Sequence, residues 1–154
     1  QMLLEHDLFG TREDCALIFE LSRYVYDEPY RGPIALNRHF FPVIGNLRPD
    51  GEEFECAHYL ANECAAVETW VRNVEKKPGA FSLQTSGDRF YPDFLAKLKD
   101  GRLLAVEYKG GHLFTDSAEK RLMGELWEKA SNGNCLFVMP TAKNWSEIER
   151  KIAA

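Results

Sequence analysis

Phe90-Tyr91-Pro92-Asp93-Phe94-Leu95-Ala96-Lys97-Leu98-Lys99-Asp100-Gly101-Arg102-Leu103-Leu104-Ala105-Val106-Glu107-Tyr108-Lys109-Gly110 reads as two strands joined by a tight turn. Two turn geometries are open. A two-residue Asp100-Gly101 turn sets Asp93 opposite Tyr108, and alternation then sends Asp93 to the face away from Glu107 and Lys109. A three-residue Lys99-Asp100-Gly101 loop, with Gly101 left-handed in a bulge, sets Asp93 opposite Glu107. The hydrophobic pattern favours the second geometry. One face then carries Phe94, Ala96, Leu98, Leu104, Val106 and Tyr108, and the other carries Asp93, Leu95, Lys97, Leu103, Ala105, Glu107 and Lys109. The shorter turn mixes Glu107 and Lys109 with Phe94. Opposed carboxylates repel by a few tenths to about 1 kcal/mol even on an exposed surface. A sequence that pairs them is expected to place a cation there.

Upstream of the hairpin, Leu60, Cys64, Val67, Val71 and Val74 recur at helical spacing with Trp70 beside them. This predicts a helix from about Glu55 to Asn73, ended by Lys76-Lys77-Pro78-Gly79. Phe81 to Thr85 reads as a short strand and Ser86-Gly87-Asp88 as a turn. Downstream, Asp116 is placed to cap a helix, with Glu119 answering three residues on. That helix is expected to bury Leu122, Met123, Leu126, Trp127 and Ala130 and to end at Asn132-Gly133. Cys135 to Met139 is a β-prone run closed by Pro140, and Trp145, Ile148 and Ile152 give a last helix one apolar face. The expected order from residue 55 is helix, strand, strand, strand, helix, strand, helix. Three consecutive strands and a crossover helix into a fourth imply a central mixed four-stranded sheet flanked by helices, an α/β (α+β) domain.

At the N-terminal side, Thr11-Arg12-Glu13-Asp14 has capping-box spacing. A helix is expected over Leu17, Ile18, Leu21, Tyr24 and Val25, stopping before Pro29. Residues 27 to 51 hold four of the seven prolines and read as irregular chain, with Arg48-Pro49-Asp50-Gly51 as a turn. The 154 residues therefore divide into a helical and irregular extension, 1–50, and a domain, 51–154.

With 45% hydrophobic and 28% charged residues, the composition is that of a globular protein. No apolar run approaches a membrane span, and Glu5, His6, Asp7 and Arg12 break any signal-peptide pattern. A chain that starts at Gln1 rather than Met is expected to be part of a longer one. The net charge of −5 argues against a general nucleic-acid-coating protein, but not against a nuclease whose basic contacts are confined to one face. Cys15, Cys56, Cys64 and Cys135 have no zinc-ligand spacing, and buried thiols in a reducing, cytoplasmic compartment is the preferred reading.

Two carboxylates flanked by water suit Mg²⁺, with Mn²⁺ as a substitute. Asp93 and Glu107 supply the oxygens, and the Tyr108 carbonyl between the motif residues can add a third ligand. Lys109 points the same way as Glu107, where an ammonium can stabilise hydroxide or charge developing on a phosphate. Glu63 lies on the predicted buried stripe and Glu68 at its outer edge, and a carboxylate on a buried stripe needs a partner. Lys120, Arg72 and Arg89 are candidate phosphate contacts, and Lys76 and Lys77 lie near the same strand entrances.

Pro92-Asp93 followed by Glu107-Tyr108-Lys109 after a hairpin, with an acidic helix upstream, resembles the PD-(D/E)xK nuclease superfamily over roughly residues 55 to 140. That resemblance implies a restriction-endonuclease-like α-β-β-β-α-β core, Mg²⁺-dependent hydrolysis of DNA phosphodiesters, and one more acid from the first helix, for which Glu63 on the buried stripe is the choice and Glu68 the alternative. Phe54-Glu55-Cys56-Ala57 with Glu63, Trp70-Val71-Arg72-Asn73, Tyr91-Pro92-Asp93-Phe94, Glu107-Tyr108-Lys109-Gly110 and Lys120 through Gly124 to Trp127 are together similar to one subfamily. This is the C-terminal nuclease domain of the restriction subunit of type III-like enzymes. The likeness implies double-stranded DNA as substrate, a helicase motor in the same parent chain, joined through residues 1–50, and a methyltransferase/specificity subunit as partner. No motor motif occurs in this chain. Two alternatives stay open: a non-catalytic module docking DNA or subunits, and a nuclease of the same superfamily acting on branched DNA or RNA.

Overall fold

The hairpin takes the three-residue turn. In the computed structural model, which describes residues 15–109 and 114–154 and only the backbone of 114–116, strand β4 (Phe94–Leu98) pairs antiparallel with β5 (Leu103–Val106). Phe94 faces Val106 and Lys97 faces Leu103. Gly101 has φ +94° and its N–H bonds Leu98 O at 2.9 Å, the left-handed position this loop requires. The expected Thr11–Asp14 capping box and the glycine pair Gly110-Gly111 lie outside the described residues.

The sheet runs β1-β4-β5-β6, with β1 (Val67–Arg72) antiparallel to β4 and β6 (Cys135–Val138) parallel to β5. The segment Leu83–Gln84 (β2) instead pairs only with Arg89–Phe90 (β3), in a separate small hairpin. The described residues thus form a mixed α/β domain with a four-stranded mixed sheet and three helices, but its first core strand is not the one expected. The predicted helix from Glu55 to Asn73 is in fact helix α1 (Glu52–His58), a wider π-type turn over Tyr59–Glu63, and then β1. Val67, Thr69, Trp70 and Val71 are β-formers, and their chance i, i+4 agreement with the helix stripe misled the periodicity. The helix stops because Arg38, far away in sequence, caps it. Its guanidinium donates to Leu60 O, Ala61 O, Cys64 O and Val67 O at 2.6–3.1 Å, satisfying carbonyls that a continuing helix would otherwise bond.

Alternation splits the core as the sequence pattern requires. Trp70, Phe94, Ala96, Leu98, Leu104, Val106, Leu136 and Val138 face α1 and α3 (Ser146–Ala153), with Leu60 and Ile148 in the same cluster. Val71, Leu95, Leu103, Ala105, Cys135 and Phe137 face Trp127 of α2 (Phe114–Ala130), together with Phe81, Phe90, Ile18 and Phe41. A methyl at Gly124 would overlap the Phe137 ring, so α2 lies close against β6. The α2 stripe is narrower than expected. Trp127 is fully buried, whereas Leu122 is 54% and Leu126 39% exposed and Ala130 is exposed too. Helix α2 begins two residues before Asp116, whose side chain lies outside the described residues, and Glu119 accepts from Ser86 N at 2.6 Å instead.

The described part of the segment before residue 50, from Cys15 on, is part of this packing. The helix expected through Tyr24 and Val25 stops at Phe19, short of both, because Tyr24 is drawn onto the sheet. Its ring stacks on Phe41 at 4.7 Å, and its hydroxyl donates to Arg72 O and accepts from Gly45 N. Phe40 N bonds Trp70 O, Trp70 N bonds Arg38 O, and His39 Nε2 accepts from Arg72 N, which seals the open edge of β1. On the other edge, Glu128 accepts from Phe137 N and Ser131 Oγ from Cys135 N. All four cysteines are buried thiols. No helix among the described residues is long and apolar enough to cross a membrane.

Gly101→Val should destabilise the fold by about 1–2 kcal/mol, since a β-branched residue is strained at that φ. Urea titration monitored by tryptophan fluorescence would measure this, and an unchanged midpoint would mean that the turn does not need its glycine.

Candidate active site

The first bonded rung of the hairpin is Leu98 N to Arg102 O at 2.8 Å. Bonded and non-bonded pairs alternate along an antiparallel ladder. Continuing the register, Pro92 and Tyr108 fall on a rung that ought to bond, and Asp93 and Glu107 fall on the preceding non-bonded pair, where side chains approach most closely. The Pro92–Tyr108 rung cannot close. Proline has no N–H, and its carbonyl is taken by Asn73 Nδ2 at 2.8 Å. The Tyr108 N–H is instead accepted by Asp93 Oδ2 at 2.8 Å. The Pro-Asp pair therefore ends the ladder and turns a side-chain carboxylate into its last acceptor.

Asn73 fixes this end of β4 from the β1 side. It is buried, its N–H bonds Asp93 O at 3.0 Å, and its amide also bridges Phe81 N and Phe81 O. Arg72, beside it, lies over the Phe94 ring at 5.2 Å and donates to Asn46 O at 3.0 Å. Its guanidinium forms an ion pair with Glu53 and lies 3.7 Å from Asp93 Oδ1. From the other layer, Lys120 of α2 bonds Glu107 Oε2 at 3.0 Å and sits over the Phe90 ring at 5.6 Å. Glu107 is 8% exposed, and its Oε1 is buried without a hydrogen-bond partner.

Burial drives the electrostatics here. It raises the Asp93 carboxyl well above its ordinary range, reinforced by Glu107 and Glu53 and opposed by Arg72 and the Tyr108 N–H. Burial also raises Glu107, with Lys120 opposing and Glu53 reinforcing. Three carboxylates, Asp93, Glu107 and Glu53, thus share one field around two cations, Arg72 and Lys120.

The site was only partly as expected. Asp93 and Glu107 are brought together as the register predicted. Lys109, half-buried, follows Glu107 on the same face, its N–H on Pro140 O at 3.1 Å. In extended chain the N–H and C=O of one residue point to the same side, so the Tyr108 carbonyl faces the Asp93 strand, as a third ligand would. The Tyr108 hydroxyl is engaged elsewhere, donating to Glu52 and accepting from Lys143 N, and burial with Glu52 pushes it up to about 12. Glu63 is not brought to the site. It ends the π-type turn, 55% exposed, paired with His58 at 3.2 Å. At the usual rise of about 1.5 Å per residue it lies roughly 15 Å along the helix from Glu53. Glu68 is exposed on β1. The helix acid that does reach the pair is Glu53, in the first turn of α1. The run Pro49-Asp50-Gly51-Glu52-Glu53 carries a helix-start signature that could have revealed it. Arg72 is an internal counter-charge rather than an exposed phosphate contact. Arg89 is exposed and held by Ser82 Oγ at 2.8 Å, and Lys77 pairs with Asp27 at 2.5 Å.

Among the described residues, no three His, Cys, Asp or Glu side chains form a ready-made metal cluster. The Asp93–Glu107 pair nevertheless suits a hard cation that completes its shell with waters. It offers carboxylate oxygens from two strands, a buried Glu107 oxygen without a partner, and charge that burial leaves under-compensated. Comparison with known proteins gave no match to any family model, any curated protein or any solved structure.

A carboxyl raised by folding stabilises the fold below its unfolded pKa, and that contribution is lost as pH climbs toward its folded pKa. Without divalent cations, Asp93→Asn should therefore raise the melting temperature, with a gain over wild type that grows as pH rises from about 4 toward neutrality. Calorimetric melts across that range in EDTA would show it, and a gain independent of pH would mean that Asp93 is not held in a repulsive field.

Proposed function

We propose that this chain is the cleavage domain of a metal-dependent endonuclease that hydrolyses DNA phosphodiester bonds on a restriction-endonuclease-like core. The observation that carries the reading is the Asp93–Glu107 rung, half-buried at Asp93 and buried at Glu107, with Lys109 two residues on and Lys120 arriving from α2. The helix, three antiparallel core strands, crossover helix and parallel fourth strand support it.

Asp93 and Glu107, with the Tyr108 carbonyl, would hold Mg²⁺ or Mn²⁺. Bound there, such a cation supplies Lewis acidity to a phosphate oxygen and lowers the pKa of a water. The protein groups do the rest. Tyr108 N–H and Arg72 orient Asp93, and Asn73 fixes the backbone that carries it. Lys109, on the Glu107 face, meets negative charge as it develops on the phosphate or on the attacking water. Glu53, held by Arg72, is the acid from α1 in place of Glu63. The sequence likeness extends the proposal to a type III-like restriction system, with duplex DNA as substrate, a helicase motor in the parent chain, a methyltransferase/specificity partner and a cytoplasmic setting.

A second reading, a DNA- or subunit-docking module without catalysis, draws on one observation: Arg72 and Lys120 already pair with the two acids. The two readings separate by experiment. With Mg²⁺ or Mn²⁺, the chain should nick or cut duplex DNA. Asp93→Ala, Glu107→Ala and Lys109→Ala should each lower the rate by about 10²-fold or more while circular dichroism stays unchanged. Calorimetric titration should show Mn²⁺ uptake by the wild type that Asp93→Ala loses. Equal heats from both proteins, with no cleavage, would favour the docking module.

A further inference from the structure

The acid pair is largely occupied. Asp93 Oδ2 accepts the Tyr108 N–H at 2.8 Å, Asp93 Oδ1 faces Arg72 at 3.7 Å, and Glu107 Oε2 accepts from Lys120 at 3.0 Å. Glu107 Oε1 alone is buried without a partner. A divalent cation arriving here meets two side-chain cations, and the two differ in exposure and in side-chain chemistry.

Arg72 is pinned. Its side chain is 13% exposed, and it is held by Asn46 O, by Glu53 and by the Phe94 ring. Lys120 is a compact ammonium on a flexible stem, projecting from α2 across Phe90, with its side chain 25% exposed. A cation bound to Glu107 would repel that ammonium at short range in a poorly screened site. A phosphodiester brings the negative charge that could receive it.

Resting on the nuclease reading, we propose that Lys120 is a displaceable internal occupant of the cation site. It holds Glu107 in the metal-free protein and transfers to a substrate phosphate when the divalent cation binds. Cation binding and DNA binding then favour each other, and by linkage the coupling is the same in either direction. The protein alone binds the cation weakly because the cation must first displace Lys120, whereas with DNA bound the lysine already has another partner. Lys120 is a positioning residue in this scheme, and its signature is a binding coupling rather than a rate.

The test uses the full chain with Lys120→Met, which removes the charge, and Lys120→Arg, which keeps it. Without nucleic acid, Lys120→Met should bind Mn²⁺ about tenfold more tightly than wild type by calorimetry, the scale of one lost charge-assisted bond. Lys120→Arg should stay close to wild type. Fluorescence anisotropy with labelled duplex DNA should show wild-type affinity rising when Ca²⁺ replaces EDTA, and most of that gain disappearing in Lys120→Met. Equal or weaker Mn²⁺ binding by Lys120→Met, or an undiminished Ca²⁺ gain, would overturn this proposal and leave the nuclease reading standing. No Mn²⁺ binding by any of the three proteins, with or without DNA, would remove the cation site and the proposal with it.

Discussion

Two carboxylates face each other across β4 and β5 on a rung that the backbone does not bond, and the surrounding structure works to keep them there. A strand pair has only two ways to present its side chains, and a slip of one residue exchanges its faces. The apolar set Phe94, Ala96, Leu98, Leu104 and Val106 fixes the choice, because slipping either strand would swing its share of that set out of the layer it shares with Leu60 and Ile148. The hydrophobic core thereby enforces an electrostatic arrangement that the acids alone would avoid. Gly101 allows the turn, Pro92 ends the ladder, and Asp93 takes the hydrogen bond that Pro92 leaves.

The site lies at the junction of both helical layers, which explains why its parts are scattered along the chain. Glu53 comes from the helix on one face and Lys120 from the helix on the other, and Arg72 and Asn73 come from the end of β1. β1 is an edge strand and would be a poor foundation by itself. The segment from Tyr24 to Asn46 reinforces it through Arg38, His39, Phe40 and the Tyr24 hydroxyl. His39 shows how tightly it is held. Burial drives its pKa down to about 4, and the neutral ring has one nitrogen for Phe41 O and the other for Arg72 N–H. Residues 24 to 46, within the stretch expected to join a motor, thus buttress the strand that carries Arg72.

What the sequence revealed follows from the range of each interaction. The hairpin register was legible because alternation and the glycine turn are local, and the buried thiols because their neighbours are apolar. The boundary between α1 and β1 was not, because Arg38 ends that helix from more than twenty residues away. The same error displaced the helix acid. Placed on a helix running to Asn73, Glu63 looked buried; once the chain turns into β1 it is exposed on His58, and Glu53 takes the position near the pair. Arg72 read as a surface cation because nothing local shows that Glu53 and Asp93 converge on it.

The remaining question is why such a site does not unfold its own domain. Asp93 and Glu107 lie in a field that favours their protonated forms, so at neutral pH the pair weakens the metal-free fold. The opposing contributions are neutral and geometric as well as ionic. Asn73 makes four hydrogen bonds to the backbone, its own N–H to Asp93 O among them, and removing its amide would leave Phe81 and Pro92 with buried polar atoms lacking partners. Tyr108, between the acid and the lysine, ties β5 to the start of α1 and to the loop before α3. These anchors do not depend on the charge state of the acids. The backbone geometry around Asp93 and Glu107 can therefore persist whatever the charge state of the acids, as the proposed cation site would require.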